Sequence, residues 1–197
     1  LAYAMAKASP RAKGVYYIII LMPLLTSAVV RTYGWMILLS RGGLVNSLLM
    51  ALGIVKEPVS LMYNVRGVTI ALVEVFLPYM VLSLQSVLEN LKKSLEEAAQ
   101  NLGADPLRTF ALVTLPLTVP GIVTGSILVF VLTIAAFVTP SLLGGPMVKV
   151  MATIIYQQGL AVMNWPFAGA MAFILLLVVA ALILLYNKVL MSRKVWG

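Results

Sequence analysis

The side chains that perform most protein chemistry are nearly missing from this chain. Its 197 residues include no Cys, no His and only six Asp or Glu. That composition removes disulfides, thiolate and imidazole metal sites, and Cys- or His-based nucleophile–base pairs. A metal site would need an all-oxygen ligand set, and none is expected. The catalytic options left are Ser or Thr with Lys, or paired carboxylates, and no two acids cluster inside an apolar segment. The sequence has no Gly-x-x-x-x-Gly-Lys-Ser/Thr stretch with which to cradle a nucleotide phosphate. No catalytic residue is therefore assigned, and an intramembrane enzyme ranks last among the readings.

The informative polar groups are few. Glu74 is the one acid well inside an apolar segment, where an ionisable side chain is costly and marks a functional position by default. Pro78, four residues on, has no N–H to offer the Glu74 carbonyl. A carboxylate beside such a carbonyl suits a cation, and Gln85, eleven residues further, lies on nearly the same helix face. The competing reading pairs Glu74 with a basic residue, Arg31 or Arg66. Tyr33, Trp35, Phe137 and Trp165 can offer cation–π contacts to an ammonium group. Trp and Tyr also anchor helices at the membrane interface, so both readings stay open for them. For Arg31, snorkelling to that interface is the simplest role.

The elements that must position these groups follow from composition. The chain is 62% hydrophobic and only 10% charged, whereas a soluble domain has roughly 45–50% apolar and 25% charged residues. So little charge cannot cover a water-facing surface, and the lipid bilayer is the expected solvent. Spanning it takes about 20 mostly apolar residues. Four segments qualify: Val15–Leu39, Val68–Leu88, Phe110–Val138 and Phe167–Tyr186. Leu44–Val55 is half as long as a span and reads as an interfacial or re-entrant helix. The apolar stretch Leu1–Ala6 reads as the end of a helix whose beginning is missing, so the chain is expected to be N-terminally incomplete.

The net charge of +8 then reads as topology, with no nucleic-acid partner expected. Lys7, Arg11 and Lys13, then Lys92, Lys93 and Arg108, then Lys188, Arg193 and Lys194 fall on one side of the four-span map. These are nine of the 14 basic residues. Positive charge marks the cytoplasm, which places the 88–110 connection and the C-terminus inside.

That connection holds the densest local signals. Ser94 followed by Glu97 fits a capping box, and Glu96 with Glu97 suits the positive end of a helix dipole. Ala98 and Ala99 favour helix, Gly103 suits a helix stop, and Asp105-Pro106 fits a second N-cap with Pro at the first helical position. The spacing predicts a rigid elbow of helix, Gly break and second helix. It can be a plain structural hairpin, or its small residues can admit the backbone of another protein. In the following span, Gly121-x-x-x-Gly125 permits close helix packing, and Pro116 and Pro120 remove helical N–H donors and favour a kink.

Glu97-Ala98-Ala99, then Gly103, then Val113-Thr114-Leu115-Pro116, resembles the EAA signature of permease subunits of binding-protein-dependent ABC importers. Val113 stands where Ile is more frequent. Stretches around Pro23–Trp35, Gly43–Asn46, Phe137–Gly145 and Asn164–Phe167 are similar to the spermidine/putrescine branch of that family. The resemblance implies an all-α membrane protein: a type I ABC importer-like transmembrane domain with four full spans plus the end of a truncated one. It implies a single permease domain over residues 1–197 of an inner (plasma) membrane protein of a bacterial cell, with 89–109 as cytoplasmic coupling loop. Coupling to an ATPase would fall to Glu97, Ala98, Ala99, Gly103, Ala104 and Asp105. Glu74, Tyr33, Trp35, Phe137 and Trp165 would line the substrate pathway. The implied partners are two cytoplasmic ATPase subunits, a second, homologous permease subunit, an extracytoplasmic solute-binding protein and the lipid bilayer. No cofactor is expected in this chain; ATP and Mg would belong to the ATPase. The alternatives are a permease of the same family for another small solute, and an autonomous channel or secondary transporter.

Overall fold

The computed structural model describes residues 1–192, so Arg193 and Lys194, used above for the topology, lie outside the described residues. The regular elements among them are helical. They run α1 (Ala2–Lys7), α2 (Pro10–Leu25), α3 (Ala28–Leu39), α4 (Leu44–Ala51), α5 (Val65–Asn90), α6 (Lys93–Asn101), α7 (Pro106–Thr109), α8 (Leu115–Ala135), α9 (Met151–Tyr156) and α10 (Trp165–Ser192). Three π-helical turns, at Phe110–Thr114, Pro140–Gly144 and Gln157–Ala161, punctuate the series. Ala28–Ala51, Val65–Asn90, Pro106–Ala135 and Trp165–Tyr186 are long and apolar enough to cross a membrane.

Three of these match the predicted spans closely. The first does not. The apolar run Val15–Leu39 is broken at Thr26-Ser27, where both residues leave helical backbone and Thr26 N–H reaches only the Pro23 carbonyl. The spanning stretch instead starts at Ala28 and runs through α3 and α4. Hydropathy had no means to show this, because the residues on both sides of the break are apolar. The short helix expected at Leu44–Val55 is present as α4, ending four residues earlier than the apolar run.

The described residues form two compact units, Leu1–Thr26 with Val73–Phe130, and Ser27–Leu72 with 131–192. In the first, Ala2, Met5, Ile20 and Val81 make a buried cluster, with Tyr16, Tyr17, Leu84 and Leu88 packed on it. α1 and α2 thus close on the later turns of α5. α8 approaches α5 through its small residues: a Cβ at Gly121 would stand 2.9 Å from Val87 Cγ2, and one at Gly125 would stand 2.6 Å from Met80 Sδ. This is the close packing that the Gly-x-x-x-Gly spacing predicted.

In the second unit Leu39, Leu61, Val68, Ala71 and Leu143 are buried together, with Trp35, Met36 and Val148 against them. Asn46 is fully buried on α4 and is satisfied by backbone alone. Its amide donates to the Ser40 and Val59 carbonyls at 3.0 Å each and accepts from Val59 N–H at 2.9 Å. One side chain thereby staples the loop after α4 to both ends of the α3–α4 turn. Asn164 Oδ1 accepts from Phe167 N–H to start α10, whose large apolar side chains are mostly exposed, as a lipid-facing helix requires.

Candidate functional site

The elbow is built as its local signals require, with one correction. α6 ends on Gly103, which has φ +87°. The Gly103 and Ala104 N–H groups fold back on the Gln100 and Ala99 carbonyls, closing the helix C-terminus. Asp105 then caps the next helix: its carboxylate accepts from Arg108 N–H at 2.6 Å, with Pro106 at the first position. The predicted Ser94–Glu97 capping box does not form. The N-cap residue is Lys92, with no side-chain cap, so Ser94 and Glu97 lie two residues too far into the helix to reciprocate.

The two adjacent glutamates face different ways because consecutive helical residues are rotated by about 100°. Glu97 and Ala98 are exposed, together with Gly103 and Asp105, while Ala99 and Ala104 are half-buried. Glu96 turns inward. Its carboxylate takes the Lys7 ammonium at 2.8 Å and the hydroxyl of fully buried Thr114 at 2.8 Å, with the Tyr3 hydroxyl at 3.4 Å. The Lys7 ammonium holds the Glu96 carboxyl below the ordinary glutamate range, opposed by partial burial and aided by the Thr114 and Tyr3 hydroxyls. Glu96 in turn raises Lys7. Tyr3 also stacks edge-on against Phe110 at 5.0 Å and carries the Lys7 ammonium 4.4 Å over its ring. Sequence reasoning placed Glu96 only at the helix dipole. The available signal was the doublet itself, since two neighbouring acids on one helix cannot share a face.

After α7 the helix widens into the π turn Phe110–Thr114, in which Leu115 N–H reaches back five residues to the Phe110 carbonyl. Pro116 follows, one residue beyond Leu115. Its ring needs room near the carbonyl four residues earlier and supplies no N–H, and a wide turn meets both demands.

The proposed pathway residues fall in separate units. Glu74 is half-buried on α5 in the first unit, ahead of buried Pro78. Gln85 on the same helix is buried and donates to the Tyr17 hydroxyl at 2.8 Å and to Glu89 at 3.2 Å; Lys13 pairs with Glu89 at 2.8 Å. Tyr33, Trp35, Phe137 and Trp165 belong to the second unit. There Trp35 packs on the buried cluster, Phe137 stacks on Tyr156 at 4.6 Å, and Tyr33 and Trp165 are exposed.

Residues 1–193 match the family described as binding-protein-dependent transport system inner membrane component. The chain belongs to this family. It is 35% identical to the spermidine/putrescine transport system permease protein PotB of Escherichia coli strain K12, over 98% of this chain and 71% of that protein. It is 34% identical to the inner membrane ABC transporter permease protein YdcU of the same strain, over 91% of this chain and 61% of that one. A crystal structure of a bacterial alginate ABC transporter, in complex with its alginate pentasaccharide-bound periplasmic protein, shares the fold. The TM-score is 0.78 at 21% identity, over 98% of this chain and 70% of that one. The chain is thus a multi-pass inner-membrane permease component with the importer fold.

Proposed function

We propose that this permease forms part of the pathway by which an ATP-driven importer takes up a small cationic solute of the spermidine/putrescine class. The observation that carries the reading is the ordered elbow between α5 and α8. It exposes Glu97, Ala98, Gly103 and Asp105 on an ordered turn with a cap on each side. Leu102 beside them is 90% exposed, outside every membrane-spanning stretch. A lone exposed Leu needs no explanation. An exposed Leu on a capped elbow bordered by small residues fits a surface that a partner covers. In this reading the partner is the cytoplasmic ATPase, which holds ATP and Mg. Closure of two ATPase subunits moves the elbow as a lever against this chain and a second, homologous permease subunit. An extracytoplasmic binding protein delivers the solute, and the C-terminus is cytoplasmic.

For the solute, the identity to PotB and the carboxylate of Glu74 within an apolar helix support a cation. Tyr33, Trp35, Phe137 and Trp165 supply aromatic faces suited to ammonium groups. A second solute class has one observation behind it: the molybdenum transport system permease protein ModB of Mycobacterium bovis is 34% identical over 85% of this chain and 61% of that protein. A carboxylate in the pathway disfavours an anionic cargo, which ranks that reading lower.

The test is the complex purified with its co-expressed neighbours, assayed for binding-protein-dependent ATPase stimulation across polyamines and unrelated solutes. Stimulation by a polyamine is expected. Stimulation by an unrelated solute alone removes the cation assignment, and uptake that proceeds without any ATPase removes the importer reading.

A further inference from the structure

The signature glutamate, Glu97, points out of the elbow, and the glutamate beside it points in. We infer that Glu96 is a positioning residue, the latch through which motion of α6 is transmitted to the helix that enters the membrane. The inference rests on the reading of the elbow as the ATPase-facing lever.

A lever works only if it is fastened to what it moves. α6 is joined to α7 through Leu102–Asp105, a turn whose Gly103 has the backbone freedom to pivot. Left to that joint alone, a push on α6 would be absorbed as bending of the elbow. Glu96 removes that freedom by bridging over the joint. One carboxylate oxygen accepts the hydroxyl of Thr114 in the π turn, 18 residues away, and the other holds Lys7 on α1. Tyr3 of α1 completes the enclosure by reaching both Glu96 and Phe110, the first residue of that π turn. The side chain of Glu96 is only 19% exposed, against 50% for Lys7. The carboxylate is therefore sheltered enough for its hydrogen bonds to hold against water, and hydrogen bonds to a charged acceptor are the stronger kind. The contacts converge on the one segment of the following helix with non-α geometry. Single π turns within α-helices recur at functional sites.

The division of labour is therefore one glutamate for the partner and one for the permease's own body. It predicts two separable losses. In the complex with its co-expressed partners, Glu96→Gln keeps the shape of the side chain but loses its charge. It should retain the ATPase through purification and retain basal hydrolysis, while stimulation by loaded binding protein and solute uptake fall about tenfold. Glu97→Gln should weaken retention of the ATPase itself. The exchange Lys7→Glu with Glu96→Lys should recover part of the stimulation, a rescue that a general packing defect would not show. Should Glu96→Gln fail to accumulate, Thr114→Val leaves the ion pair in place and should give the same split between basal and stimulated hydrolysis. The inference is overturned if Glu96→Gln, or Thr114→Val in its place, leaves stimulation and uptake at parental level. It is equally overturned if Glu96→Gln loses the same step as Glu97→Gln. A parental complex that holds no ATPase would instead overturn the functional reading on which the latch depends.

Discussion

Replacing Gly121 and Gly125 by Ala, one at a time, should give unequal losses although the two positions look alike in sequence. Both glycines are buried on α8 and both face α5. At Gly121 the new methyl would lie 2.9 Å from Val87 Cγ2, 3.1 Å from the Ser83 carbonyl oxygen and 3.3 Å from Val87 Cβ. Comfortable carbon contacts begin at about 3.5 Å. Neither neighbour can give way: one is backbone, and the other is β-branched with a single favoured rotamer in a helix. At Gly125 the shortest distance is shorter still, 2.6 Å, but it is to Met80 Sδ, the far end of a flexible thioether. The next contact there, Ser83 Cβ at 3.1 Å, moves only with its own backbone and asks for a few tenths of an ångström, but it is the one stiff short contact at this site against three at Gly121. Overpacking typically costs about 1–3 kcal/mol, while Gly to Ala inside a helix returns up to about 1 kcal/mol. Gly121→Ala should therefore lose about 1–2 kcal/mol net, and Gly125→Ala should lie within about 1 kcal/mol of parent. Thermal unfolding of the purified protein in one detergent, with membrane abundance alongside, measures the difference. Equal losses, or a larger loss at Gly125, would refute the argument that neighbour stiffness outranks raw distance.

Three further outcomes are expected. Asn46→Leu should destabilise by about 1–3 kcal/mol, because the half-buried Val59 N–H and the carbonyls of Val59 and Ser40 lose their partner; chemical unfolding checks it. Asp105→Ala should cost about 1 kcal/mol by loss of the N-cap, while Asp105→Asn should be nearly silent. Faster amide exchange at Leu107 and Arg108 in the first variant reports it. The Glu96 tether should slacken on acidification. A carboxyl held below its ordinary range stabilises the fold above that range and loses its contribution as pH falls through the depressed value. Lys7, raised, loses its part only above the ordinary lysine range. Protection of the α6 amides, corrected for the intrinsic pH dependence of exchange, should therefore be flat across neutral pH and fall once the pH drops below the ordinary glutamate range, a fall that Glu96→Gln should abolish.

The elbow was legible in the sequence because its signals are local. Gly103 needs a positive φ, and Asp105-Pro106 needs only the residues beside it, so both act where they stand in the chain. The later spans were legible because apolar length alone defines them. What escaped reading depends on distance. Glu96 meets Tyr3 across 93 positions, and no pattern within α6 announces that partner. Asn46 entered the sequence reading only within the family-like stretch Gly43–Asn46, and only the fold of the following loop made it a buried staple. The break at Thr26-Ser27 escaped because the residues flanking it are equally greasy, and lipophilicity counts residues without noticing their backbone angles.

The π turn at Phe110–Thr114 has a consequence for how this helix is mapped. A helical wheel assumes one constant angle per residue, yet each widened turn takes one residue more than an α turn and so shifts the phase by about 100°. Two residues a whole number of α turns apart, one before Phe110 and one after Thr114, therefore do not share a stripe. A periodicity drawn through Pro106–Ala135 as one uninterrupted screw would assign wall-facing residues to the lumen, and the reverse. The helix is better treated as two screws joined by a phase slip, with the slip located where the elbow takes hold.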